Sequence, residues 1–243
     1  MLFRSIYGLF KKPSSEEIVE MSIEAEKTIF PDTSGADCTV CTYGGMIVYD
    51  KINGIEKIED TRWSQKEIWY GKEHRDNPKA GLNFIIANSM IPHSTKRSVD
   101  KVKKFKENNE ENFSNWCRYV TVIIDDLLYN MDKDADDPER PPFGWELGSS
   151  MAENRFFLDC LPISNKTIHS MISSLRSEDG ATLLSAKITG AGDGGCIIAL
   201  TENIERGLTE ARGVLGKDKE CFSAKIDTKG VVLSSIDEEG DYE

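Results

Sequence analysis

Residues 187–200 read Lys187-Ile188-Thr189-Gly190-Ala191-Gly192-Asp193-Gly194-Gly195-Cys196-Ile197-Ile198-Ala199-Leu200. Glycine crowds the window 190–195, and apolar residues flank it on both sides. Glycine reaches positive φ freely and lets the backbone come close to a partner. Successive N–H groups in such a turn can form a concave nest for an anion, typically phosphate. The same glycines also suit a tight hairpin between two buried strands, and composition alone does not choose.

Around this window the pattern alternates. Strands are expected at 183–188 and 196–200, a helix at 204–215, a strand at 221–226, a turn at Thr228-Lys229-Gly230 and a last strand at 231–234. An acidic tail, 238–243, follows. Upstream, Ile168, Met171, Ile172 and Leu175 mark one helix, and Phe113, Trp116, Cys117, Val120, Ile124, Leu127 and Leu128 mark a longer one. The acidic run 132–140 between them reads as a solvated loop, stiffened by Pro141-Pro142. A buried strand is expected at 82–87. Ser94 or Thr95 then caps a helix through Val99, Val102 and Phe105.

Nearer the start, Ser14 with Glu17 forms a capping box for a helix over 14–29. Ile18, Met21, Ala25 and Ile29 make its apolar face, and Glu26 lies on the flank, where periodicity alone reads a solvated glutamate. Asp37, after Ser34-Gly35-Ala36, reads as a turn or helix cap. A strand at 46–49 ends in a turn at Asn53-Gly54. Residues 51–80 are charged, hold Trp63, Trp69 and Tyr70, and suggest a strand or two before a boundary at Asn77-Pro78. Helices mixed with antiparallel strands give an α+β chain.

The chain has 243 residues, enough for one or two domains with a proper core. Hydrophobic residues make up 39% and charged residues 30%, and no apolar run approaches the roughly 20 residues of a membrane span. Residues 1–12 lack the apolar segment and cleavage site of a signal peptide. A net charge of −12 argues against a nucleic-acid partner, so any bound phosphate needs local donors or a metal. Cys38, Cys41, Cys117, Cys160, Cys196 and Cys221 read as reduced thiols of a cytoplasmic protein. Cys38 and Cys41 form a C-x-x-C, but no second close pair completes a zinc site.

The string Lys187–Cys196 resembles the third motif of the GHMP small-molecule kinases, and within them most closely the mevalonate kinases, written Lys-[Ile/Leu]-Thr-Gly-Ala-Gly-Gly-Gly-Gly-Cys. Asp193 stands where that motif has glycine. Glu26, then Ser34-Gly35-Ala36-Asp37-Cys38, then Gly44-Gly45 resembles the same family's helical glutamate, Pro-Ser-Gly-[Ile/Val]-Asp-Asn and Gly-Gly. Phe30 and Pro31 replace a usual His-Gly, Thr33 replaces proline and Cys38 replaces asparagine. Pro92-His93-Ser94-Thr95-Lys96 resembles the family's Pro-x-Ser-Thr-Lys. Leu147-Gly148-Ser149-Ser150 resembles its Gly-Leu-Gly-Ser-Ser ATP loop, but lies after Asp37 where that loop comes before. With Met151 and Asn154 it fits a Met-x-x-Asn helix better, Arg155 replacing a usual histidine.

The resemblance spans residues 14–235. It implies a GHMP kinase-like α+β fold, with 1–80 the remainder of the N-terminal domain and 81–243 a ferredoxin-like C-terminal domain. It implies transfer of the γ-phosphoryl of ATP, with Mg2+, to a small alcohol, mevalonate first, as in isoprenoid biosynthesis. Asp37 would be catalytic and Glu26 the metal ligand. Gly190, Ala191, Gly192, Gly194 and Gly195 would bind phosphate, and Thr95 the substrate. The alternatives are another GHMP kinase, acting on phosphomevalonate or a sugar, and a non-catalytic half of a split kinase. The ATP loop and a substrate-side lysine belong to a front segment not seen before Glu26. The chain would then be a fragment, a gene product read from a late start, or one piece of a split enzyme whose partner chain carries them. It is expected to be inactive alone, with apolar surface exposed at Ile18, Met21 and Ile47. No nucleic-acid or membrane partner is expected.

Overall fold

The computed structural model describes residues 13–50, 54–58, 82–132, 143–175, 183–216 and 220–232. Trp63, Trp69, Tyr70, the Asn77-Pro78 boundary, the loop 133–142 and the tail 238–243 lie outside them. The chain packs as two units, one of Met1–Asp60 with Ile226–Glu243, the other of Thr61–Lys225.

In the first unit, helix α1 (Ser15–Lys27) starts at the expected capping box. The Ser14 hydroxyl accepts from the Glu17 N–H at 3.2 Å, and the Glu17 carboxylate accepts from the Ser14 N–H at 2.9 Å. Helix α2 (Ala36–Tyr43) packs against α1 and follows Gly35, whose φ of 77° begins it in the left-handed region. A Cβ at Gly35 would stand 2.5 Å from the Ile23 side chain, so the close packing of α2 on α1 needs glycine there. Strands β1 (Met46–Asp50) and β2 (Gly54–Ile58) form an antiparallel hairpin, with Met46 opposite Ile58. Ile18 is buried at 6% exposure and Met21 and Ile47 are half-buried, so the apolar patch expected at these residues does not form. Packing of α1 against α2 shields that face, and the exposed apolar side chains of this unit include Ile29, Phe30 and Ile55 instead.

The second unit is built on a four-stranded antiparallel sheet in the order β4-β5-β3-β6. Its strands are β3 (Asn83–Asn88), β4 (Leu183–Ile188), β5 (Cys196–Thr201) and β6 (Cys221–Lys225). Between β3 and β4 run α3 (Thr95–Asn108), α4 (Glu110–Asp132), α5 (Phe143–Cys160) and α6 (Lys166–Leu175), and α7 (Ile204–Leu215) joins β5 to β6. The first strand therefore lies between the third and the fourth, the split β-α-β arrangement of ferredoxin-like domains. The fourth strand of the sheet is β3; of the strand expected at 231–234, residues 233–234 lie outside the described residues, and the Val231 N–H donates to the Thr42 carbonyl.

Apolar alternation explains the layering. Ile85, Ala87, Ala186, Ile188, Ile197 and Ala199 form one core with Ile168, Met171, Ile172 and Leu175 of α6 and Ala211 of α7. Successive strand side chains point to opposite faces. Lys187, between Ala186 and Ile188, thus faces the other way, where α5 packs on β4. Gly148 sits inside α5, where a Cβ would be 3.5 Å from Leu184 Cβ. Leu147–Ser150 is helix, as its Met-x-x-Asn context suggested, and its glycine serves packing.

Candidate active site

In the first unit, Glu26 sits near the end of α1 and is half-buried. Its Oε2 accepts from the Thr33 hydroxyl at 2.7 Å and from the Cys38 thiol at 3.3 Å. The Tyr49 hydroxyl donates to the Ser34 carbonyl at 2.5 Å and anchors the intervening loop. Burial pushes the Cys38 thiol up to about 11, and the hydrogen bond and charge of Glu26 act in the same direction. Cys38 is therefore a neutral donor that fixes the carboxylate. Glu26 Oε1 has no partner among the described residues. Asp37, immediately before Cys38, is exposed in the first turn of α2, where the helix dipole favours a carboxylate.

No cluster of three or more His, Cys, Asp or Glu side chains suited to a metal occurs among the described residues. Magnesium does not require one: it is commonly held by one or two carboxylates together with substrate phosphates. A hard oxygen donor such as Glu26 Oε1 fits that chemistry, and the protonated sulfur of Cys38 does not.

In the second unit, residues 189–195 join β4 to β5. Thr189 closes the loop, its N–H and hydroxyl both donating to the Cys196 carbonyl at 3.2 and 2.9 Å. One side of the loop is filled. A Cβ at Gly194 would lie 2.5 Å from the Ile91 carbonyl, and one at Gly192 2.5 Å from the Ile163 carbonyl. The Gly195 N–H donates to the Ile91 carbonyl at 3.3 Å, and the His93 ring covers Gly195. Gly190 by contrast is open: it has φ 57°, and a Cβ there would meet nothing within 4 Å. Among the described residues, the N–H groups of Gly190, Ala191, Gly192 and Gly194 donate to no other group. Thr95 opens α3 and is exposed, while Ser94 supplies the cap to the Arg97 N–H at 3.4 Å.

The structure thus joins Glu26 to the residue beside Asp37 in one unit, and gathers Gly190, Ala191, Gly192, Gly194 and Gly195 in the other. Sequence reasoning missed Thr33 and Cys38 as partners of Glu26. The signal was present, because both positions depart from the family pattern. It also missed the contact between Lys187 and Asn154, 2.5 Å from Nζ to Oδ1, which ties the two C-terminal motifs together.

The family model described as GHMP kinases C terminal matches residues 145–213. Residues 145–213 are thus similar to the C-terminal domain of GHMP kinases. Curated relatives extend the likeness: this chain is 27% identical to the mevalonate kinase of Aeropyrum pernix over 92% of its own length and 60% of the relative's. It is 31% identical to that of Pyrococcus furiosus, over 84% of its length and 53% of the relative's. The chain thus spans between half and two thirds of those relatives. Among solved structures, L. major mevalonate kinase in complex with R-mevalonate superposes with a TM-score of 0.68 at 22% identity, covering 92% of this chain and 62% of that one. Methanococcus jannaschii mevalonate kinase gives 0.64 at 21%, covering 92% and 60%. The GHMP kinase fold is shared with both.

Proposed function

We propose that the protein works in phosphoryl transfer from MgATP to the hydroxyl of mevalonate. The observation that carries the reading is the β4–β5 loop, with undonated N–H groups at Gly190, Ala191, Gly192 and Gly194 and an open face at Gly190. Such a nest suits phosphate oxygens, and the 27–31% likeness to mevalonate kinases supports mevalonate as the alcohol.

Phosphoryl transfer is chiefly positioning and neutralisation of charge. In this reading the loop amides hold phosphate oxygens, and Glu26 Oε1 would hold magnesium, which would supply neutralisation of phosphate charge. Asp37 orients the alcohol and accepts its proton. Thr33 and Cys38 keep Glu26 in one rotamer, and Thr95 contributes to substrate binding. Leu147–Ser150 is helical, so a Gly-Leu-Gly-Ser-Ser loop would come from a further segment, joined to this chain or carried by a partner.

The test is a transfer assay with γ-labelled MgATP and mevalonate, on the chain alone and co-expressed with an ATP-loop segment from an archaeal relative. Label on mevalonate in the co-expressed sample, reduced by about 10²–10⁴-fold in Asp37→Asn, is expected from loss of an acid–base group. Label reaching galactose or homoserine equally well, or turnover unaffected by Asp37→Asn, would contradict the proposal.

A further inference from the structure

Asp193 sits in the glycine loop at φ 66°, and two separate segments hold it, the α5–α6 connection and α3. Its N–H donates to the Ile163 carbonyl at 2.5 Å, and its carbonyl accepts from Asn165 Nδ2 at 3.1 Å. Its Oδ2 accepts from Lys101 Nζ at 2.5 Å and from the Ser98 hydroxyl at 3.3 Å, both on α3. The Asp193 side chain is 16% exposed and that of Lys101 is 43% exposed. Left-handed backbone is strained for most side chains and is tolerated best by asparagine and aspartate. A bare carboxylate in a phosphate-binding loop would also repel its ligand.

We propose that Lys101 and Asp193 form a charge lock, which fixes the loop's conformation from α3 and cancels the carboxylate's repulsion of a bound phosphate. Both are positioning residues for the nucleotide, and this second effect rests on the phosphate-loop reading above. The carboxylate is turned onto α3, and a Cβ at Gly190 would meet nothing within 4 Å. Lys101 belongs to a basic helix, with Lys96, Arg97, Lys103, Lys104 and Lys106, on a chain of net charge −12. Asp100 and Glu107 offset only part of that positive charge. Glycine at position 193 would relieve the backbone strain and remove the charge; aspartate instead couples the loop to a neighbouring helix.

The 243-residue chain, Lys101→Met, Asp193→Gly, the double variant and Lys101→Arg are compared in two measurements. One is amide hydrogen exchange across residues 187–200, and the other is calorimetric titration with MgATP. Lys101→Met should speed exchange of the loop and weaken MgATP about fivefold, the scale of one uncompensated charge near the surface. Adding Asp193→Gly should restore affinity to the level of Asp193→Gly alone, and Lys101→Arg should keep both readouts near the parent's. A double variant that binds as weakly as Lys101→Met would overturn the lock and make Lys101 a direct phosphate ligand. Unchanged exchange in Lys101→Met, or additive effects of the two substitutions on exchange, would also overturn it. If the parent chain binds no MgATP, the phosphate-loop reading fails, and the exchange cycle still decides whether the lock exists.

Discussion

Glu26 holds its geometry through a single oxygen. Thr33 and Cys38 both donate to Oε2, which leaves Oε1 without a partner among the described residues. The Cys38 thiol is neutral because burial and the neighbouring carboxylate both oppose the thiolate. Its raised value fixes the sign of the pH effect. Neutral Cys38 contributes stability that is fully present below the ordinary thiol value of 9.0 and is lost as pH rises through about 11. Alkylation follows the thiolate fraction. At pH 8, Cys38 should therefore react with iodoacetamide on the order of 10²-fold more slowly than a thiol at its ordinary value. Glu26→Gln should speed that reaction, as read by mass spectrometry of the peptide. Equal rates in the parent and Glu26→Gln would show that the carboxylate does not act on the thiol.

Elements set the loop's shape from behind. The β3–α3 connection at Ile91–His93 and the segment at Ile163 press against Gly192, Gly194 and Gly195. Gly194→Ala should destabilise the protein by about 1–3 kcal/mol, the cost of overpacking, because the obstacle is backbone. Gly190→Ala has open space and meets only the left-handed penalty of about 1–2 kcal/mol. Thermal melts of the two variants, with Gly194→Ala the lower, check this.

On the opposite face of β4, burial lowers the Lys187 ammonium below its usual 10.5. The folded state then binds fewer protons than the unfolded state between that lowered value and 10.5. Stability from this group should rise with pH across that window. Melting curves from pH 8 to 11 should show this rise in the parent and its loss in Lys187→Met; parallel profiles would contradict it.

The helices 166–175 and 204–215 were legible because their apolar periods are clean, whereas Phe143–Cys160 was read from its Met-x-x-Asn resemblance. The capping box at Ser14 and Glu17 was legible for the same local reason. The sheet's fourth strand was not. Strand pairing joins segments far apart in sequence, and no local pattern told that β3 would lie between β5 and β6. The partners of Asp193 were hidden likewise, since Lys101 and Asn165 reach it from distant segments.

At the scale of the whole molecule, each unit carries its own part of the proposed chemistry. The unit containing α1 and α2 holds the carboxylates Glu26 and Asp37, and the sheet-based unit holds the amide nest. The account stands or falls on whether that nest receives phosphate. The most direct measurement is a 15N-resolved NMR titration of the 243-residue chain with MgATP, following the amides of residues 189–195. The account predicts that the amide signals of Gly190, Ala191 and Gly192 shift with saturable dependence on MgATP, and shift less with Mg-adenosine mixtures that lack phosphate. Signals in the loop that stay fixed while MgATP is added, or that move equally with adenosine, would contradict it.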